Sequence, residues 1–324
     1  MRWLFNMLAP GGDRARLPIL IFHRVLAAPD PLLPDEFDAQ RFDAVCGWLR
    51  HWFNVIPLDA AVGRLAQGTL PERPLAISFD DGYADNHDVA LPILLRHALP
   101  ATFFVATGFL DGGRMWNDTV IEAVRLTPHD TLDLRGVECS GPETHRVRDI
   151  DEKRSAIAAI IDGIKYLPPS QREAIVNDIA ARGGAALPGG LMMRSDQVAA
   201  LRKAGMQIGA HTVSHPILAT LTPDAARDEI VNGKRRLESI IGEPVRLFAY
   251  PNGRPDRDYT AQTVALAREA GFDAAVTTAW GAAAEGTDPF QIPRFTPWDR
   301  TQTRFGLRLA RTLWASRRGI AVAA

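Results

Sequence analysis

Short apolar, β-branched and aromatic runs alternate with segments of helical periodicity along most of the chain. PILIFHRVL (18–26), FNVIPL (53–58), LAISF (75–79) and ATFFVAT (101–107) have the length and composition of buried strands, as do MQIGAHT (206–212), VRLFAY (245–250) and FDAAVTT (272–278). Helical patterns over 38–51, 86–98, 195–204, 223–241 and 258–270 lie between them. Ser195 and Thr222 stand where helices would be capped, and Gly205, Gly242 and Gly271 where they would stop. Strict alternation of this kind predicts an α/β fold with a parallel sheet covered by helices, and about seven strands predict closure into a barrel.

The rhythm breaks between about Gly112 and Met193. Helices are expected over 149–166 and 169–182, TLDLRGVEC (131–139) is the one convincing strand, and the Gly/Pro-rich stretch 181–190 forms the exit. A largely helical insertion over 112–193, at the rim of a single domain of 1–324, is the expectation, acting as a lid or substrate-binding flap.

Two end segments share a character. The first sixteen residues, MRWLFNMLAPGGDRAR, carry an apolar patch that Gly11, Gly12, Asp13 and Arg14 cut off before a signal-peptide core is complete, which points to a cytoplasmic protein. At the other end, 300–318 predicts a helix with Arg304, Arg308, Arg311, Arg317 and Arg318 among Phe305, Leu309, Leu313 and Trp314. Such a helix fits either a packed apolar side with arginines in solvent or peripheral contact with an anionic membrane.

Composition narrows the chemistry. The 324 residues are 46% hydrophobic and 23% charged, as in a folded protein, and a net charge of −1 gives no reason to expect a nucleic-acid partner. Only Cys46 and Cys139 are present, outside any C-x-x-C, so a metal would have to be held by nitrogen and oxygen.

Polar residues gather just after strand ends: Asp80 and Asp81 after LAISF, His211 after MQIGA, Asn252 after LFAYP. In a β/α barrel those positions converge on the C-terminal rim. With 8 histidines in the chain, chance alone supplies an H-x-x-x-H about 0.2 times, so His211 and His215 gain weight only from that convergence. Together with Asp81 they give two imidazoles and one carboxylate, the open set of catalytic rather than structural zinc sites, and one that also suits non-haem iron. Asp80, pointing elsewhere, is then free to act as a base. The alternative for D-D-G in isolation is an ordinary turn.

ISFDDGYADN, GAHTVSHP and FAYPNG together resemble the first three motifs of the polysaccharide deacetylases, the NodB-homology domain of carbohydrate esterase family 4, over roughly 18–298. The resemblance implies a distorted (β/α) barrel, a divalent metal, usually zinc, and hydrolysis of N- or O-acetyl groups on sugars. By position, Asp80 corresponds to the catalytic base and Asp81, His211 and His215 to the metal ligands. Asn252 stands where the family places the residue whose backbone N–H receives the carbonyl oxygen, and Tyr250 nearby is counted with it as a candidate substrate or oxyanion residue.

Two departures from the pattern matter. Ala249 replaces the arginine that orients the base, and Arg294, in QIPRF after an expected late strand, is expected in preference to Arg246 to supply that charge. No histidine follows His215, so the late general acid is missing. His23, in the first strand, resembles the acid histidine that the poly-N-acetylglucosamine deacetylase branch brings from the N-terminal side. The remaining histidines, His51, His87, His97, His129 and His145, read as surface or capping residues, Trp116 and Trp298 as sugar-stacking or packing groups, and Asp85 and Asn86 as the start of a helix. The function implied is N-deacetylation of a sugar in a polysaccharide or glycan precursor, as in exopolysaccharide biosynthesis. An O-acetyl esterase and a non-catalytic carbohydrate-binding protein on the same scaffold are the alternatives.

Overall fold

The computed structural model describes residues 1–315. Seven strands, β1 (Ile19–Phe22), β2 (Pro74–Phe79), β3 (Thr102–Val105), β4 (Gln207–Ala210), β5 (Leu247–Ala249), β6 (Ala274–Trp280) and β7 (Ile292–Arg294), lie side by side in chain order, all parallel. The ring closes where Ile21 N–H reaches the Phe295 carbonyl at 3.0 Å and Phe295 N–H the Ile19 carbonyl at 2.8 Å. The family's distorted (β/α) barrel is therefore the architecture of this chain.

Apart from Gln207 at the start of β4 and the last three residues of β6, both faces of the strands are buried, as in parallel sheets sheathed by helices. Along β2, Leu75, Ile77 and Phe79 join the large core under the helices, while Ala76 joins a second cluster with Ala249, Ala274, Phe104 and Ile292. Small residues on the inner face let a seven-strand ring close around little more than side chains. On the outer face Phe79 stacks on Phe103 at 4.8 Å and on Phe22 at 5.3 Å.

The count of seven matches the expectation, with different members. FNVIPL is not a stave of the barrel: only Asn54–Val55 pair, at the start of β2, and Pro57 turns the chain into the helix Leu58–Ala66. Its place is taken by β7, three residues long, the late strand expected at Arg294. The first strand stops at Phe22, four residues before the apolar run does. The helices α2 (Ala39–Trp52) and α3 (Pro223–Ile241) fall where expected, with Thr222 capping α3 and Gly242 ending it at φ +71°. The basic C-terminal helix spans Gln302–Ala315; Arg317 and Arg318 lie outside the described residues.

The chain divides into two compact units. The first comprises 1–28, 35–111 and 193–324 and contains the barrel; the second comprises 29–34 and 112–192. Helices Ile150–Ile164 and Pro169–Gly183 occupy the second unit with a third, Trp116–Leu126, and a hairpin in which Thr131–Asp133 pairs antiparallel with Thr144–Arg146. It has its own core, including Val120, Val124, Leu132, Ile160, Ile164 and Ile179. Within it Arg172 lies over the Trp116 ring at 4.8 Å.

Candidate metal and catalytic centre

Strand register decides which residues meet. Phe79 pairs with Phe103, Val105 with Ala210, Phe248 with Ala210 and Ala249 with Val276, so β2 to β5 end at one level. The residues that follow those ends, Asp80–Asp81, His211 and the 250–253 turn, leave the barrel at the same rim.

The Asp80–Asp81–Gly82 turn is pinned between its neighbours. Asp80 N–H donates to the Phe22 carbonyl at 2.9 Å, and Ala106 N–H donates to the Asp81 carbonyl at 3.2 Å. Gly82 holds φ +92°, and a Cβ there would come within 2.9 Å of Val105 Cγ1, so no larger residue fits. Asp81, Thr212, His215 and Asn252 hold φ of +77°, +67°, +53° and +58°. For non-glycine residues this costs roughly 1–3 kcal/mol each. All four belong to the three motif segments, and the surrounding contacts must over-determine them.

Those contacts are visible around the histidine turn. Glu229, on α3, accepts from Val213 N–H and Ser214 N–H at 2.8 Å each and from the Ser214 hydroxyl at 2.6 Å. His215 N–H donates to the Thr212 hydroxyl at 3.1 Å. A Cβ on Gly233 would lie 2.8 Å from the Thr212 carbonyl, and one on Gly108 2.8 Å from the Val213 carbonyl, so the turn is wedged between two bare backbones.

The result is a buried cluster in which His211 Nε2 and His215 Nε2 each lie 3.4 Å from Asp81 Oδ1. One ligand atom from each residue falls within 4.8 Å of the others. His211 Nδ1 sits 2.8 Å from the Ala249 carbonyl, which fixes the proton on Nδ1 and leaves Nε2 as a lone-pair donor. Asp81 Oδ1 is enclosed, with no hydrogen-bond partner of its own among the described residues. A carboxylate oxygen facing two imidazole lone pairs is satisfied by a cation, and the donor set fits a divalent metal.

Electrostatics agree with that arrangement. Burial opposes charge on Asp81, yet His211, His215 and His23 hold its carboxyl well below the usual range. Burial pushes the His215 imidazole down to about 4, which keeps it neutral and available as a ligand. His211 is also pressed down by burial, but Asp81 and Asp80 overcome this and hold it above its ordinary value.

Asp80 is held differently. Arg294, at the end of β7 and 1% exposed, grips it with two parallel bonds, Nη1 to Oδ1 and Nη2 to Oδ2, each 2.7 Å. The guanidinium is itself fixed by the Thr277 carbonyl at 2.8 Å and the Ser78 hydroxyl at 3.1 Å. Burial raises the Asp80 carboxyl, but Arg294 and the imidazoles of His211 and His23 bring it below its ordinary value, so it is ionised at neutral pH. Removing the arginine from such a pair costs about 3–5 kcal/mol, because the carboxylate is left buried and unpaired. Arg246 is elsewhere, on Asp273 at 3.2 Å.

His23 follows β1 directly and is half-buried. Its charge bears on Asp80, Asp81 and His215, which places it at the same centre. Asn86 Nδ2 donates to the His23 carbonyl at 2.8 Å, while Asp85 accepts from Val25 N–H at 3.1 Å and Arg24 Nε at 2.8 Å. Asp85 and Asn86 thus do more than open a helix: they tie down the His23 segment. The sequence offered no sign of this beyond two short polar side chains that close ISFDDGYADN.

Tyr250 corrects the expectation attached to it. Its ring stacks on Tyr259 at 4.2 Å, its hydroxyl donates to the Phe290 carbonyl, and it is fully buried in the core, so its side chain meets no substrate. Asn252 does stand in the rim turn. Its carbonyl accepts from the Thr278 hydroxyl at 2.5 Å, and among the described residues its N–H has no acceptor.

Known proteins resemble this chain in sequence and in fold. The family model for polysaccharide deacetylase matches residues 67–163 and 172–275. The curated protein YxkH of Bacillus subtilis, a putative polysaccharide deacetylase, is 21% identical over 86% of this chain and 71% of its own length. A poly-β-1,6-N-acetyl-D-glucosamine N-deacetylase of Staphylococcus aureus is 26% identical over 52% of this chain, a match that spans 58% of that protein. Among solved structures, IcaB from Ammonifex degensii superposes with a TM-score of 0.59 at 20% identity, covering 94% of this chain and 99% of that one. The Streptococcus pyogenes deacetylase PplD, in complex with acetate, gives 0.57 at 19% identity over 87% and 92%.

Proposed function

The chain belongs to the polysaccharide deacetylase family, hydrolases of carbon–nitrogen bonds other than peptide bonds, and we propose that it removes N-acetyl groups from an N-acetylhexosamine polymer or its precursor with a divalent metal, zinc, at Asp81, His211 and His215. The observation that carries this reading is the buried pair of acids with opposite partners: Asp81 facing two imidazoles, Asp80 facing Arg294. One carboxylate is left for a metal and its neighbour for a proton.

When bound, the metal supplies Lewis acidity to the acetyl carbonyl and makes the attacking water more acidic. Asp80 takes the water's proton. Arg294 keeps it ionised and fixes its plane, and each carboxylate oxygen retains a lone pair for the water. The Asn252 N–H, which has no acceptor among the described residues, is the donor for charge developing on the carbonyl oxygen in this reading. His23 hands a proton to the departing amine, which as a free anion would be too poor a leaving group.

Poly-β-1,6-N-acetylglucosamine is the first substrate to test, because a named relative acts on it and because the acid histidine follows β1. The experiment is acetate release from that polymer, from other N-acetylhexosamine polymers and from O-acetylated glycans, using protein stripped with chelator and reloaded with zinc. Release should vanish on stripping and return on reloading. Asp80→Asn should keep its zinc and lose about 10²–10⁴-fold in turnover, the usual span for a general base. No acetate from any N-acetylated glycan by zinc-loaded protein, or an Asp80→Asn variant of unchanged rate, defeats the proposal. Release confined to O-acetyl esters would make the protein an esterase.

A further inference from the structure

Two helices at opposite ends of the chain pack together and expose what helices usually bury. α1 (Arg2–Leu8) places Phe5 against Trp52 of α2 at 5.7 Å, and the C-terminal helix, α4 (Gln302–Ala315), places Phe305 against the same indole at 6.2 Å. The methyl of Met1 occupies the space that a Cβ on Gly306 would need. At 100° per residue, the positions opposite Phe5 are Trp3 and Met7, and those opposite Phe305 are Leu307 and Trp314, with Arg304 and Arg311 flanking them. Because both inward aromatics converge on Trp52, both outward faces look away from the same part of the protein. They are exposed: Trp3 71%, Met7 56%, Leu307 56% and Trp314 64%.

We propose that this paired face of α1 and α4 is a docking surface for a membrane bearing anionic lipids. The outer stripe of α4 alternates cation and hydrophobe, Arg304, Leu307, Arg311, Trp314, and no acidic residue occurs in 1–12 or 300–324, which together hold seven arginines. Arg308 is occupied by Asp299 at 3.0 Å, but Arg2, Arg304 and Arg311 have no ion-pair partner among the described residues. Uncompensated arginines beside exposed indoles match the headgroup layer, where the ring sits at the apolar boundary and the guanidinium meets phosphate. Among the described residues no helix is long and apolar enough to cross a membrane, so the contact would be peripheral. A protein partner would call for a continuous apolar patch depleted of charge at its centre; alternation of arginine with tryptophan and leucine favours the lipid surface.

The test uses the full chain and vesicles of phosphatidylcholine alone or with one third phosphatidylglycerol. Co-sedimentation with the anionic vesicles only, weakened by salt, is the expected result. A Trp3→Ser/Trp314→Ser variant should bind at least about tenfold more weakly. An Arg304→Gln/Arg311→Gln variant should also lose about tenfold or more, since each basic group near such a surface contributes about fivefold. Thermal unfolding checks that both variants fold. Wild-type protein that stays in the supernatant, or folded variants that bind like wild type, overturns the proposal. So does a self-association by light scattering that both variants abolish without any vesicle binding, which would make the face a contact between copies.

Discussion

His211 and His23 reach the same centre from strand ends on different sides of the barrel, and they are held in opposite ways. His211 is 1% exposed, with Nδ1 committed to the Ala249 carbonyl and Nε2 turned to Asp81. His23 is half-buried and anchored through its backbone carbonyl on Asn86, while among the described residues its ring has no hydrogen-bond partner. A ligand must present one lone pair in one direction, so its ring is fixed. A group that takes up and delivers a proton must keep its ring free to do so.

The sharpest way to break this comparison is His211→Ala. It removes one of three ligands, so zinc content measured after dialysis should fall to background and acetate release should vanish with it. The wild-type protein should show a matching pH dependence. The neighbouring acids raise His211 above its ordinary value in the metal-free state, so a proton occupies the site that the metal needs. Zinc affinity should therefore weaken as pH falls through that raised value and level off above it. A His211→Ala variant that retains stoichiometric zinc would mean that the cluster is not a metal site.

A smaller effect, but a more selective one, is expected of His23→Ala. The zinc content should stay unchanged while N-deacetylation drops about 10²-fold or more. Hydrolysis of an activated O-acetyl ester, whose leaving group needs little protonation, should drop far less. Equal and negligible effects on the two reactions would return His23 to the role of a rim side chain.

What the chain disclosed about itself follows from how local each feature is. Asp80, Asp81, His211 and His215 were legible because their spacing and their place after apolar runs are sequence properties. Arg294 could be singled out only because the usual arginine position holds Ala249, and its grip on Asp80 depends on ring closure bringing β7 round to β1 and β2. FNVIPL was misleading because two paired residues at a sheet margin read the same as a buried stave. Trp116–Leu126 went unnoticed although Val120 and Val124 fall at helical spacing, masked by polar neighbours at Asn117, Asp118 and Glu122. Tyr250 sat within FAYPNG, yet the alternation of strand faces sent its ring into the core.

Glu229 was the least legible of all, one acid among several on a helix whose outer face is charged, and it carries the mildest prediction. It turns its carboxylate onto the strained turn between the two histidines, accepting three hydrogen bonds from Val213 and Ser214. Both backbone N–H groups share Oε2, which an amide oxygen replaces only without its charge, so Glu229→Gln keeps the volume and weakens the clamp. His215, at φ +53°, would then be less firmly placed, whereas His211, fixed separately by Ala249, would stay. Zinc affinity should fall about tenfold, in the range found when groups that orient metal ligands are replaced. With saturating zinc, turnover should recover, because neither Asp80 nor His23 depends on this turn. Isothermal titration with zinc, paired with acetate release at high zinc, reads both halves. A variant with unchanged affinity would show that Gly108 and Gly233 alone hold the turn, and one that stays slow at saturating zinc would show that the histidine turn also shapes the acid–base pair.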